Sequence, residues 1–234
     1  QTVKGGGHGD YKMITLAPAS VQEMADFTVL GFELAFKYNI VSVVLADGII
    51  GQMMEKVQLP PYQKRLTNDE IREKYPWATL GKPANRKPNV ITSLELDSAL
   101  MEQRNLNLQK KYKEIEKNEV RYEEIACEDA EYLLVAFGSS ARICQKTVEL
   151  AREKGIKLGL FRPITLFPFP TNEIYAYTNT VKAILTVELN AGQMVEDVRL
   201  AVNGTIPVEH YGRMGGIVPT AEEILEVTEK LIAK

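Results

Sequence analysis

The sequence has little of what anchors many functional sites. It holds two cysteines, two histidines and one tryptophan among 234 residues. Cys127 and Cys144 form no CxxC pair and have no histidine at ligand spacing, which argues against a zinc or iron–sulfur site built from this chain and favours a reduced, intracellular pair. Charge of one sign is also missing: 28 Lys and Arg stand against 31 Asp and Glu. A mildly acidic chain without a basic block is a poor phosphate neutraliser, so DNA and RNA are not expected partners. No apolar run approaches the ~20 residues that span a bilayer, so no membrane role is expected. The first residue is Gln1, with neither an initiating Met nor a signal segment, so the chain reads as beginning inside a domain.

What is present is ordinary globular composition, 45% hydrophobic and 25% charged. Met13–Leu16 is a short apolar run. Ser20-Val21-Gln22-Glu23 has capping-box form, in which Ser20 accepts from the N–H three residues on and Glu23 reaches back. Val21, Met24, Phe27, Leu30, Leu34 and Tyr38 then recur at steps of three and four, predicting a helix with one apolar stripe. Val41–Ala46 is a β-branched run of the kind buried on both sheet faces. Strand, helix and strand with short joins imply a parallel crossover.

From Leu59 to Ser93 the periodicity vanishes among five prolines, an excursion of a length that is usually functional, interfacial or disordered. Ser98–Glu124 is highly charged with a thin apolar seam (Leu108, Tyr112, Ile115, Tyr122) and predicts a solvated helix joining two domains. The last third alternates regularly. Strands are expected over Ala130–Phe137, Ile156–Phe161, Val181–Leu189 and Ile206–Tyr211, and helices over Ala141–Lys154, Gly192–Val202 and Thr220–Ala233. This is an α/β sandwich with a mostly parallel sheet.

Several loops could carry chemistry. Gly5-Gly6-Gly7-His8-Gly9-Asp10 permits positive φ and close approach of backbone N–H groups to an anion, though on its own it is better read as a flexible connection before Met13. Asp47-Gly48 and Gly138-Ser139-Ser140 sit after probable parallel strands, the edge where α/β sheets bind ligands. Each also suits plain helix capping, by Asp47 in one case and by Ser139 or Ser140 in the other. Glu188 could serve as an acid or base but is better read as accepting from the N–H groups of its own turn, and Arg162-Pro163 opens a rigid apolar loop suited to packing against another domain or subunit. His210 has no carboxylate pattern around it. No GxSxG, HExxH or paired-carboxylate constellation is present.

Five stretches together resemble one family. Leu16–Met24 (LAPASVQEM), Ala46–Glu55 (ADGIIGQMME), Phe137–Arg142 (FGSSAR), Gly159–Pro170 (GLFRPITLFPFP) and Gln193–Val198 (QMVEDV) look like the α subunit of 2-oxoacid:ferredoxin oxidoreductases, of the 2-oxoisovalerate (3-methyl-2-oxobutanoate) or 2-oxoglutarate type. The resemblance implies residues 1–58 as the C-terminal part of a pyrimidine-binding α/β domain, 59–129 as excursion and linker helix, and 130–234 as a transketolase-C-like α/β sandwich. It implies thiamine diphosphate with Mg²⁺ held mainly by a β subunit, iron–sulfur clusters on a ferredoxin-like δ subunit beside a γ subunit, and a 2-oxoacid and coenzyme A as substrates. Gly6, Gly7, His8, Gly9 and Asp10 would line the approach to cofactor or substrate, and Asp47, Gly48, Gln52 and Met53 would face the β subunit, in a cytoplasmic complex.

The family's substrate loop and the glutamate that protonates the aminopyrimidine have no counterpart here, so the resemblance implies a chain inactive alone, with no assignable catalytic residues. A non-catalytic assembly module and a free-standing nucleotide-binding protein are the competing readings. Transketolase itself is disfavoured, because its sugar-phosphate-binding histidines have no counterpart among only two.

Overall fold

The computed structural model describes residues 3, 7, 9–62, 64–82, 84–92 and 94–233. The chain builds β1 (Ile14–Leu16), α1 (Val21–Tyr38), β2 (Ser42–Val44), α2 (Gly48–Gln52), α3 (Asn68–Lys74), α4 (Ser98–Asn118) and β3 (Tyr122–Ile125). It continues with β4 (Tyr132–Val135), α5 (Gly138–Glu153), β5 (Leu158–Pro163), β6 (Thr165–Phe167) and α6 (Thr171–Ala176). β7 (Ala183–Glu188), α7 (Met194–Val202), β8 (Val208–Gly212) and α8 (Ala221–Ile232) complete it. Two sheets result, ordered β2-β1-β6 and β3-β5-β4-β7-β8.

The first unit follows the strand–helix–strand expectation, with β1 and β2 parallel. Ser20 caps α1 by accepting from Glu23 N–H. The Glu23 carboxylate reaches Ala19 N–H, one residue beyond the expected capping-box partner, because Arg162 draws it toward the second unit. β2 departs from expectation: it is half-buried throughout, and Val41 is exposed. It lies at the end of the three-stranded sheet, where one flank and part of each face meet solvent.

The linker also differs. Helix α4 stops at Asn118, and its seam of Leu108, Tyr112 and Ile115 packs on Ile14, Leu16, Leu34 and Tyr38. Tyr122 leaves that seam and enters β3, antiparallel to β5, with its ring stacked on Phe161 at 5.0 Å. The periodicity merged two elements because one strand residue fell on the helical spacing. A second omission is α3, whose Thr67–Glu70 capping box closes reciprocally at 3.3 and 2.6 Å. That signal stood in the sequence as Thr-x-x-Glu inside a stretch without an apolar stripe.

In the second unit β4, β5, β7 and β8 run parallel and β3 is antiparallel at one edge. Leu134, Leu158, Leu160, Leu185 and Val187 pack with α5 and α8 on one face. Leu133, Val135, Phe161 and Ile184 pack with Met194, Val198, Ala201 and Val202 of α7 on the other. Pro163-Ile164 then carries the chain out of this sheet, and β6 pairs antiparallel with β1. The loop after Arg162 therefore packs against another domain, as its composition suggested, by adding a strand to it.

Candidate functional site at the switch point of the parallel sheet

In the order β5-β4-β7-β8 the chain passes from β4 to β5 on one side and then returns to β7 on the other. The carboxyl ends of β4 and β7 therefore flank a topological switch point, where loops splay apart and leave a crevice. Two adjoining hollows of about 530 and 230 Å³ occupy this place and share Leu45, Phe137, Glu188, Asn190 and Gln193. Leu45, Ala46 and Asp47 come from the end of β2, so the carboxyl edges of both sheets meet here. Phe137, Leu166, Phe169 and Met194 make the walls largely apolar, and Asn190, Gln193 and Glu196 supply polar groups.

Asp47 fixes one side. Its Oδ1 accepts from Ile49 and Ile50 N–H at 3.0 Å, capping α2. Its Oδ2 accepts from Ser139 N–H at 2.8 Å, so the same carboxylate also caps α5 in the other unit. α5 receives no cap from its own side chains, and neither Ser139 nor Ser140 serves as one. Gly138 adopts φ +61°, and a Cβ there would stand 2.7 Å from Asp47 Oδ2, so glycine is required twice over. The helix terminus that could have held a phosphate is thus filled by an internal anion.

Glu188 fixes the other side. Its Oε2 accepts from Gln193 and Met194 N–H at 3.1 and 2.8 Å, and its Oε1 from Val195 N–H at 3.0 Å. The buried carboxylate therefore satisfies the start of α7, the structural role expected of it. His210 Nδ1 lies 3.4 Å from Glu188 Oε1 and 3.3 Å from Thr186 Oγ1, a proximity the sequence spacing did not reveal. It arises because β8 pairs with β7 with Thr186 opposite His210.

In a separate hollow of about 340 Å³, Arg162 presents two guanidinium nitrogens to the Glu23 carboxylate at 2.8 and 2.7 Å, and its Nε lies 2.8 Å from Glu123. Burial pushes the Glu23 carboxyl upward, but Arg162 and the Ala19 N–H outweigh it and hold the group below its usual range.

The remaining sequence candidates lie elsewhere. Gly6 and His8 fall outside the described residues. Gly9 has φ +102°, and a Cβ on Gly7 would meet the Tyr11 hydroxyl at 2.7 Å. Gly9, Asp10 and Tyr11 face α4 across a hollow of about 680 Å³ that Arg104 and Lys111 also line. Of the other four, Asp47 is engaged within the chain, Gly48 and Gln52 are exposed and Met53 is half-buried. Among the described residues no group of three or more His, Cys, Asp or Glu is arranged to hold a metal ion.

A family described as pyruvate flavodoxin/ferredoxin oxidoreductase, thiamine diP-binding, matches residues 4–125, and pyruvate:ferredoxin oxidoreductase core domain II matches 130–224. The chain belongs to the 2-oxoacid:ferredoxin oxidoreductase family. Within that family it is 46% identical to ketoisovalerate oxidoreductase subunit VorB of Methanothermobacter thermautotrophicus over 97% of this chain and 62% of that protein. It is 32% identical to 2-oxoglutarate synthase subunit KorA of Archaeoglobus fulgidus over 96% of this chain and 62% of that protein. The chain thus spans less than two thirds of the length of either family relative. A solved structure, 2-oxoglutarate:ferredoxin oxidoreductase from Magnetococcus marinus with 2-oxoglutarate, coenzyme A and succinyl-CoA bound, shares the fold. Its TM-score is 0.77 at 22% identity, over 97% of this chain and 43% of that one. No helix among the described residues is long and apolar enough to cross a membrane.

Proposed function

We propose that this chain serves as the α component of a cytoplasmic 2-oxoacid:ferredoxin oxidoreductase, contributing one wall of the cofactor cleft. The observation that carries the reading is the thiamine diP-binding family match, which runs from the glycine loop through β1, α1 and β2. The higher identity to the ketoisovalerate subunit than to the 2-oxoglutarate subunit favours a branched 2-oxoacid such as 3-methyl-2-oxobutanoate. Coenzyme A is the acyl acceptor in this reading, and the electrons leave to iron–sulfur clusters on γ- and δ-type partner chains and to ferredoxin.

When bound, thiamine diphosphate would supply nucleophilic carbon chemistry toward the 2-oxoacid carbonyl. The residues present suit a wall for such a group rather than its anchor. Gly7 and Gly9 carry no side chains, Gly9 holds a left-handed φ, and the Tyr11 hydroxyl sits against Gly7 where a Cβ would stand. The diphosphate and its Mg²⁺ are assigned to a β subunit. This chain's own part is to present Gly9 and Asp10 and to hold the two units in register through Asp47.

Purified chain mixed with candidate β, γ and δ subunits, thiamine diphosphate, Mg²⁺ and coenzyme A tests the reading through 2-oxoacid-dependent reduction of a viologen dye. Turnover with 3-methyl-2-oxobutanoate exceeding that with 2-oxoglutarate is expected, and none from the chain alone. Stable complex formation without turnover on any 2-oxoacid would instead make it an assembly module.

A further inference from the structure

We propose that Lys111 is a site of covalent acylation, its side-chain amine taking the acyl group of a short-chain acyl thioester admitted to the hollow between α4 and the glycine loop. Met101, Arg104, Leu108 and Lys111 follow one another at steps of three and four, so they share one face of α4. All four line that hollow of about 680 Å³. Met101 and Leu108 give an acyl chain apolar contact beside the amine. Lys111 is half-buried, and its Nζ donates to the Asn39 carbonyl at 3.2 Å, at the left-handed C-cap of α1. No carboxylate among the described residues pairs with it. Asp10 and Arg104 are the other charged groups lining the hollow, and Arg104 is engaged with Glu95 at 2.9 Å.

These surroundings differ from those of other lysines in the chain. Lys37, Lys146 and Lys182 pair with the carboxylates of Glu119, Glu149 and Glu131, which hold their ammonium groups above the usual range. Lys111 goes the other way: burial without a compensating anion pushes its pKa down. A desolvated, unpaired lysine is the activated form of this nucleophile. In the neutral amine, the N–H given to Asn39 turns the lone pair away from that carbonyl. The lone pair attacks the thioester carbonyl carbon, the C–N bond forms as the C–S bond breaks, and the amine's surplus proton leaves with the thiol. No oxidant or reductant enters the step. The product amide is uncharged, so the hollow loses a cation beside the C-terminus of α1. Such a thioester is what the reaction proposed above would yield, but the step needs only the thioester itself.

The whole chain incubated with isobutyryl-coenzyme A at neutral pH, with no partner subunit and no 2-oxoacid, tests this through site occupancy read by peptide mass spectrometry. Initial acylation of Lys111 is expected to outpace that of the exposed Lys64 and Lys87 by about fivefold or more. Asn107→Glu places a carboxylate one helical turn before Lys111, at an exposed position, and supplies the missing partner. It should bring Lys111 down to the rate of the exposed lysines and leave Lys64 and Lys87 as they were, with an unchanged circular dichroism spectrum. Lys111 modified no faster than Lys64 and Lys87 overturns the proposal, as does an advantage that Asn107→Glu leaves intact. Because the thioester is added directly, a lack of 2-oxoacid turnover in the reconstituted complex bears on the proposed function and not on this result.

Discussion

Removing Glu23 should cost more stability than removing Arg162, although they are two halves of one ion pair. The asymmetry lies in what each substitution leaves behind. Arg162→Met strands the Glu23 carboxylate, whose side chain is 24% exposed, can rehydrate and keeps its bond from Ala19 N–H. The loss is then that of a charged hydrogen bond, about 1.5–3 kcal/mol. Glu23→Met strands a guanidinium whose side chain is only 6% exposed, with half-exposed Glu123 as its remaining carboxylate among the described residues, and also frees the Ala19 N–H. Orphaning one member of a buried pair costs about 3–5 kcal/mol. Urea unfolding at neutral pH should place Glu23→Met below Arg162→Met by at least about 1 kcal/mol, with the double variant less destabilised than the singles summed. The pH dependence has a definite sign. The folded carboxyl lies below its ordinary value, so its contribution is complete above the unfolded pKa of ~4.3 and fades as pH falls through the folded one. The gap between wild type and Glu23→Met should therefore close in acid. Arg162→Met proving the costlier substitution, or a gap that widens in acid, would refute the reasoning.

Glu188→Ala leaves three N–H groups at the start of α7 without an acceptor and should destabilise by about 2–4 kcal/mol in denaturant melts, mostly as a loss at α7. Asp47→Ala should cost about 1–2 kcal/mol and, more tellingly, raise amide exchange at Ile49, Ile50 and Ser139 together, since one carboxylate serves all three. Glu119 accepts from Lys37, Tyr38 and Arg121; burial pushes its carboxyl up, but these three donors hold it below the usual value. Glu119→Gln should therefore lose stability at neutral pH and converge on wild type as pH falls through the lowered pKa of the folded carboxyl, measured by thermal melts across pH.

The sequence made regular elements legible where one physical signal dominated. The Ser20 cap and the 21–38 stripe specify α1, and the alternation after residue 130 specifies the βα units, because those signals are local. Glu188 was readable as a turn acceptor for the same reason. The site was not, because it depends on strand order. Nothing in residues 181–212 states that β7 returns to the far side of β4, and that return is what opens the crevice and sets His210 against Glu188. The Asp47–Ser139 bond spans 92 positions, so at sequence level Asp47 could only be read as a local cap or an outward contact. The prolines between 59 and 93 hid α3, since a seven-residue helix with no buried side chain leaves no apolar stripe.

Among the joints that hold the two units, three are unlike in kind; two of them border the crevice, and the third lines a separate hollow. β6 leaves the second unit to pair with β1, Arg162 at the end of β5 grips Glu23 in α1, and Asp47 beyond β2 caps α5. Each uses a different force: a ladder of backbone hydrogen bonds, a buried charge pair, and a helix-terminus interaction. A hinge between the units would have to break unlike interactions at once, so a shared mode of weakening is absent. A cleft whose walls come from two sheets keeps its width only if those sheets cannot slide, and the three joints constrain that motion along different directions. Changes at any one of them should therefore act on the crevice even where the substituted side chain lines none of it, with Arg162 the clearest case because it lines a different hollow while Leu166, four residues on in the same chain, walls the crevice.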